Sequence, residues 1–399
     1  DDDWMPFESG EDACDSGDLT AEAPPRWKPP ELSPQADAEI ERWWKTYQSS
    51  KTPARLQQVR DKLVSVPSDD DRYHHLFPDA VYLLEEKLPR AKYVDFLEEV
   101  RKTRNDVFDL NADWNTRAMV FEYLAQDRLG DVDAAALSLA ESLQEVSDPF
   151  FSLMTTLRLA GRATAAEALL DAAMRLLQKS KLMPWAVDEL IEWAMFHAYQ
   201  RGLAAGADDA AIEALHDAAR KMDLTDSEEQ RANRRDVLLH LSGQANKSWQ
   251  KAELTSTTKA AYRNIYLLGF DFQRYLATEC DVPPIAADEL RSLVMEWINR
   301  VEQPFGGLLK GLVRREFEPV VARKLDFMSL DRIHAPATII AASRFYDFLK
   351  RVDLVTLGAW QKSLAVCQEL WDELRDVVKE EWASYEFLDR YRRFPDAGQ

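Results

Sequence analysis

The sequence predicts an all-α chain of stacked antiparallel helical hairpins, an α-solenoid, followed by a second, irregular helical region. Three observations predict it. Apolar residues recur at helical spacing wherever the pattern is regular, with no convincing run of alternating β-branched residues. Ala, Leu, Glu and Arg are common, and Pro is sparse between the terminal segments. One spacing also occurs three times: Gly, four residues, Ala, three residues, Leu, two residues, then Ala or Ser. Its members are Gly130, Ala135, Leu139 and Ser142; Gly161, Ala166, Leu170 and Ala173; and Gly206, Ala211, Leu215 and Ala218. Each reads as a turn followed by a helix. Residues three and four apart share a helical face, so the small residues and the Leu form one stripe against which a neighbouring helix packs closely.

Residues 1–34 read as an acidic, Pro-rich tail without helical periodicity. The tail holds ten acids against two bases, so it carries −8 of the formal net charge of −20. Trp4, Phe7 and Trp27 interrupt it, and aromatics among acids suit a segment that docks on a partner. Residues 35–243 read as the helical-repeat region. Its first helix carries Trp43, Trp44 and Tyr47. Helices are predicted over 53–66, with Pro53 in the first turn, and over 78–88, 91–103 and 115–128. The repeat helices follow at 132–146, 149–159, 163–179, 184–200 and 208–222, joined by short connections that make consecutive helices antiparallel.

A charged helix over 226–243 closes that region, and 244–258 is polar and weakly periodic, a candidate boundary. The third region, 259–399, predicts helices at 259–279, 286–300, 305–324, 337–352 and 356–390. Pro319 lies inside one of these runs and is expected to kink or split it.

Composition bounds the function. No apolar run reaches the roughly 18 residues that span a membrane. The opening Asp1-Asp2-Asp3 is the opposite of a basic signal-peptide n-region. Cys14, Cys280 and Cys367 are scattered and odd in number, which points to a reducing cytoplasm. The negative charge repels nucleic acid and anionic lipid, and suits a basic partner.

The repeated small–large–small face resembles the second helix of tetratricopeptide repeats. The best unit pairs Phe150, Leu153 and Leu157 as a first helix with 161–173 as turn and second helix. The resemblance covers roughly 115–222 and implies helical-hairpin stacking. The glycine spacings of 31 and 45 depart from that family's period of about 34, and Met154 stands where it has a small residue. No peptide-binding positions of the family match.

Chemistry is sparse in the sequence. No HExxH, zinc spacing, P-loop or G-x-S-x-G element occurs. His74-His75 after an acidic turn is a candidate surface metal pair, weighed against a solvated turn. Asp188 and Glu192 share a helix face, which reads as a solvated face before a catalytic carboxylate pair. Gly306 to Gly311 before Arg314-Arg315 lacks the GxxxxGK(S/T) motif and the preceding strand of a phosphate loop. The basic clusters Arg231/Arg234/Arg235, Arg314/Arg315/Arg323/Lys324 and Arg390/Arg392/Arg393 read as local ion pairs. Twelve Trp is many: Trp185 and Trp193 lie on one helix, while Trp360, Trp371 and Trp382 recur every 11 residues, about three helical turns, and read as a core seam.

These readings predict a cytoplasmic, non-enzymatic scaffold or adaptor that holds a protein or peptide partner of basic character. Trp4, Phe7, Trp27, Trp185 and Trp193 are the candidate partner-binding residues, with no metal and no cofactor expected. Two alternatives remain open at this stage: a regulator whose acidic tail binds a basic surface, and an enzyme on an unfamiliar all-helical fold.

Overall fold

Every regular element is helical in a computed structural model, which describes residues 34–66, 76–177, 183–245, 247–300, 305–325 and 332–391. The chain divides into two compact units at Leu110 and Asn111.

The first unit contains α1 (Pro34–Ser49), α2 (Thr52–Ser65), α3 (Leu76–Glu85), α4 (Arg90–Thr103) and α5 (Asn105–Asp109). Its core gathers Tyr47, Val59, Phe77, Leu84, Phe96 and Leu97. The buried Tyr47 hydroxyl donates to the Ala80 carbonyl at 2.6 Å. Arg104 Nη1 donates to the Leu63 and Val66 carbonyls at 2.7 and 2.8 Å, satisfying acceptors left open at the end of α2.

The second unit begins with α6 (Ala112–Ala125), α7 (Leu129–Ser142), α8 (Asp148–Leu159) and α9 (Ala163–Leu177). It continues through α10 (Pro184–Ala204), α11 (Asp209–Lys221), α12 (Glu228–Ser242), α13 (Lys251–Leu254), α14 (Lys259–Glu279) and α15 (Pro284–Arg300). It ends with α16 (Phe305–Leu308), α17 (Arg314–Arg323), α18 (His334–Arg351), α19 (Leu357–Val377), α20 (Trp382–Tyr385) and a 3-10 turn over Glu386–Tyr391. Side-chain caps from Asp208, Ser227, Thr258 and Thr356 start α11, α12, α14 and α19.

α6 pairs with α7 and α8 with α9; α6 also packs on α8, and α7 on α9. The small residues make these contacts close: Ala135, Ala166 and Ala173 are buried with Leu139 and Leu170. α10 and α11 pair next, but α11 turns to α12. The chain then returns to the first hairpins. α15 lies on α8, and α20 and the terminal turn lie on α6. Residues 150–159 of α8 are consequently all buried, polar Ser152, Thr155, Thr156 and Arg158 included.

The glycines of the repeated spacing differ in role. Gly161 and Gly206 adopt left-handed backbone, whereas Gly130 sits inside α7 and the left-handed residue of its turn is Asp127. Asp223, Asp281 and Asp353 take the same conformation. Hydrogen bonds reaching back five residues close several of these helix ends: Arg128 to Tyr123 and Arg162 to Leu157 at 2.8 Å, and Leu354 to Leu349 at 2.9 Å.

Three sequence expectations change. The 305–324 helix is two, because Gly311 at φ 104° turns the backbone against Ala359 and the Leu312 N–H bonds to Ser363 Oγ at 2.9 Å. Pro319 breaks nothing; it sits within α17, which starts only at Arg314. The final helix ends at Val377, so Trp371 and Trp382 belong to different helices, their rings meeting edge to face at 4.9 Å. The polar stretch 244–258 is flanked by α12 and α14, which pack on each other inside the second unit. Among the described residues, no helix is long and apolar enough to cross a membrane.

Candidate functional site

The densest polar chemistry lies where α8, α10 and α15 meet. α8 carries no charge between Asp148 and its last turn, and there Arg158 is almost fully buried. An isolated charge cannot be held so deep, and α15 supplies the counter-charges from adjacent residues. Arg158 Nε donates to Glu289 Oε2 at 2.7 Å, and Nη2 to Asp288 Oδ2 at 2.6 Å. The guanidinium lies 5.4 Å from the Trp193 ring and 5.2 Å from that of Phe196, both on α10.

Asp288 is shared with a second buried arginine. Arg291 donates to Asp288 Oδ1 at 3.1 Å and to Gln273 Oε1 at 3.1 Å, and lies 4.5 Å from the Phe270 ring. Its Nη2 also reaches Glu192 Oε1 on α10 at 3.4 Å, where the Ser292 hydroxyl donates at 3.1 Å. Two arginines and two carboxylates thus balance in the interior, and α10 is tied in through Glu192.

Burial works against ionising Glu289, but the His334 imidazole 3.4 Å away and the Arg158 charge prevail and hold its pKa down at about 2. Burial, followed by the Arg158 and Arg201 charges, lowers His197 to about 4, so its imidazole is neutral at pH 7. A carboxylate clamped by arginine and a histidine too acidic to take a proton are poor partners for general acid–base work near neutrality. The arrangement instead fixes three helices in one register.

A second polar cluster lies on α12 and α14. Trp249 Nε1 donates to Asp271 Oδ2 at 2.8 Å, and His240 Nδ1 lies 3.0 Å from Asp271 Oδ1. The imidazole stacks on the Trp249 ring, centroids 5.5 Å apart, so this pair pins the chain between α12 and α14 to the core.

Of the candidate partner-binding residues, Trp4, Phe7 and Trp27 lie outside the described residues. Trp185 and Trp193 are brought to one ring: Phe151 of α8 lies 4.9 Å from Trp185 and 5.7 Å from Trp193. Trp193 is buried, whereas Trp185 is 51% exposed, beside the exposed Met183. Trp193 therefore backs the surface that Trp185 presents. Asp188 and Glu192 are both exposed, as a solvated face requires.

The other clusters resolve locally. His74 and His75 lie outside the described residues, and among those described no group of three His, Cys, Asp or Glu residues stands close enough to hold a metal ion. Asp226 collects Arg220, Arg231 and Arg234, and the Arg231 and Arg220 hydrogen bonds lower its pKa to about 2. Arg314 pairs with Glu318, Glu369 and Glu373. Arg390 donates to the Leu159 carbonyl at 3.4 Å, while Arg392 and Arg393 lie outside the described residues.

Sequence reasoning passed over Arg158, Asp288, Glu289 and Arg291. An arginine at the end of a helix with no other charge after Asp148 was the available signal for the first. Nothing local marks its partners, which lie 130 and 131 residues away. No family model, curated protein or solved structure matches the chain.

Proposed function

We propose that this chain is a non-enzymatic helical-repeat scaffold of the cytoplasm that holds a protein partner at the start of α10. One observation carries the reading: Trp185 stands half in solvent on a rigid base of Phe151 and Trp193, with Met183 exposed beside it. Large aromatics on rigid supports contribute much of the binding free energy at protein interfaces. The packing of α6 on α8 and α7 on α9 supports the repeat reading. It also moves the binding surface. The first helices of those hairpins, which face the groove in an open repeat array, are covered here by α15, α20 and the terminal turn. A partner must therefore use another face. The clamped carboxylates of Asp288 and Glu289 favour this reading over catalysis at the α8–α10–α15 junction.

The test is affinity capture from the native host with the full chain and with Trp185→Ala, followed by titration of the purified partner. Retention of a partner by the full chain, weakened about tenfold or more in the variant at unchanged melting temperature, supports the reading. Equal retention by both proteins overturns it.

A further inference from the structure

The surface around Trp185 extends into a seam whose composition specifies its occupant. Trp185, Asp188 and Glu192 fall at i, i+3 and i+7 on α10, one face of that helix, with Trp185 and Glu192 about 10 Å apart along its axis. The contacts of Glu192 with Arg291 and Ser292 place that face against α15. Arg291 covers Phe270 of α14 at 4.5 Å, and Phe270 meets Tyr266 edge to face at 5.0 Å. Tyr266 is 36% exposed, and Tyr262, one turn away on α14, is 61% exposed. Exposed aromatics therefore stand at both ends of the seam, Trp185 beside the exposed Met183 at one and Tyr266 and Tyr262 at the other, with carboxylates between them.

Single exposed aromatics are ordinary; their alignment along one seam between three helices is not. The charges select the chemistry. Asp188 is exposed, and among the described residues no cation is paired with it. Glu192 is exposed and shares its arginine with the buried Asp288. The cation nearest in sequence to Tyr262, Arg263, is paired with Asp236. An acidic or anionic occupant meets repulsion from Asp188 at the centre of the seam, whereas a cationic one meets that carboxylate and Glu192, whose arginine is shared with Asp288, and gains from the formal charge of −20 on approach.

Resting on the scaffold reading above, we infer that this seam binds a cationic amphipathic segment of the partner protein, its apolar side chains on Trp185 and Tyr266 and its lysines or arginines toward Asp188 and Glu192.

The experiment uses the full chain and two labelled peptides about 18 residues long, a Lys/Leu amphipathic helix and a Glu/Leu helix with the same apolar face. Fluorescence anisotropy is read from roughly 50 to roughly 300 mM salt. Binding of the Lys/Leu peptide alone is expected, weakening with salt, and weakening about tenfold or more in both Trp185→Ala and Asp188→Lys. The single change Asp376→Lys on the exposed face of α19 makes the same change in charge elsewhere and is expected to alter binding less than about twofold. Equal binding of both peptides, with sensitivity to Trp185→Ala and none to Asp188→Lys, overturns the cationic specificity and leaves the scaffold reading standing. Loss of binding in the α19 variant equal to that in Asp188→Lys shows bulk charge attraction and overturns the seam. No binding of the Lys/Leu peptide also overturns it, whatever partner Trp185 retains in the capture experiment.

Discussion

Arg158 Nη2 donates to Asp288 Oδ2 at 2.6 Å across 130 residues of chain, joining the helix at the centre of the second unit to the helix that returns onto it. Removing one member of a buried charge network leaves the others unpaired, which costs about 3–5 kcal/mol. Arg158→Met is expected to destabilise the second unit by that amount in urea denaturation. Adding Glu289→Gln to it should recover part of the loss, because Asp288 keeps its partner Arg291 while Glu289 is the buried carboxylate left without an arginine. A single-variant cost below about 1 kcal/mol would mean that water reaches the cluster and that the clamp is not structural.

Acid should unfold the protein in two overlapping steps. In the folded state His197 titrates near pH 4, against 6.5 when unfolded, so between those values the unfolded chain binds the extra proton. Stability is therefore full above pH 6.5 and falls as the pH drops toward 4. Glu289, folded near 2 and unfolded near 4.5, repeats the sign below pH 4.5. His197→Gln should flatten the stability profile between pH 6.5 and 4 and leave the lower step in place. An unchanged slope in that upper window would show that His197 is not held neutral.

Local physics made the helices legible. The α14 run was read residue for residue, and Pro149 and Pro184 marked the starts of α8 and α10, because capping and periodicity act over a few residues. The small-residue stripe was visible in part: Ala135, Ala166, Ala173 and Ala211 are buried, but Ser142 is exposed and Ala218 half-buried. Legibility failed wherever the determining partner was distant. Gly130 and Gly161 look alike in sequence, yet Asp127 supplies the left-handed residue in the first turn. Trp193 and Trp185 look alike on a helix wheel and both touch Phe151; the approach of the buried Arg158 to Trp193 separates them. The Arg158 network was invisible for the same reason: its carboxylates carry no local pattern.

Ala166 tests the close helix packing. It is fully buried on α9, the helix that packs on α7, α8 and α10. Ala166→Leu inserts a branched side chain where no space exists and should cost roughly 1–3 kcal/mol. Ala163→Leu, at the exposed first residue of the same helix, should stay within about 0.5 kcal/mol. Equal thermal denaturation midpoints for the two variants would contradict the close approach of α9 to its neighbours.

The two left-handed glycines of the repeated spacing separate backbone strain from contact. Gly206 at φ 97° has nothing within 4 Å of where a Cβ would stand. Gly206→Ala should therefore cost only the strain of a left-handed alanine, roughly 1 kcal/mol. Gly161 at φ 69° is also left-handed, but its Cβ would lie 2.6 Å from Pro283 Cγ and 2.9 Å from Pro283 Cβ, just before α15 begins. Gly161→Ala must also push the α8–α9 turn off α15, the helix that holds Arg158, and should cost about 1–3 kcal/mol more. A double-mutant cycle with Pro283→Gly isolates that contact. Removing both the ring and the Cβ should abolish the part of the Gly161→Ala cost that comes from contact, a coupling of at least about 1 kcal/mol. Additive effects would show that the turn and α15 are not in contact, and would loosen the case for α15 as the element that seals α8.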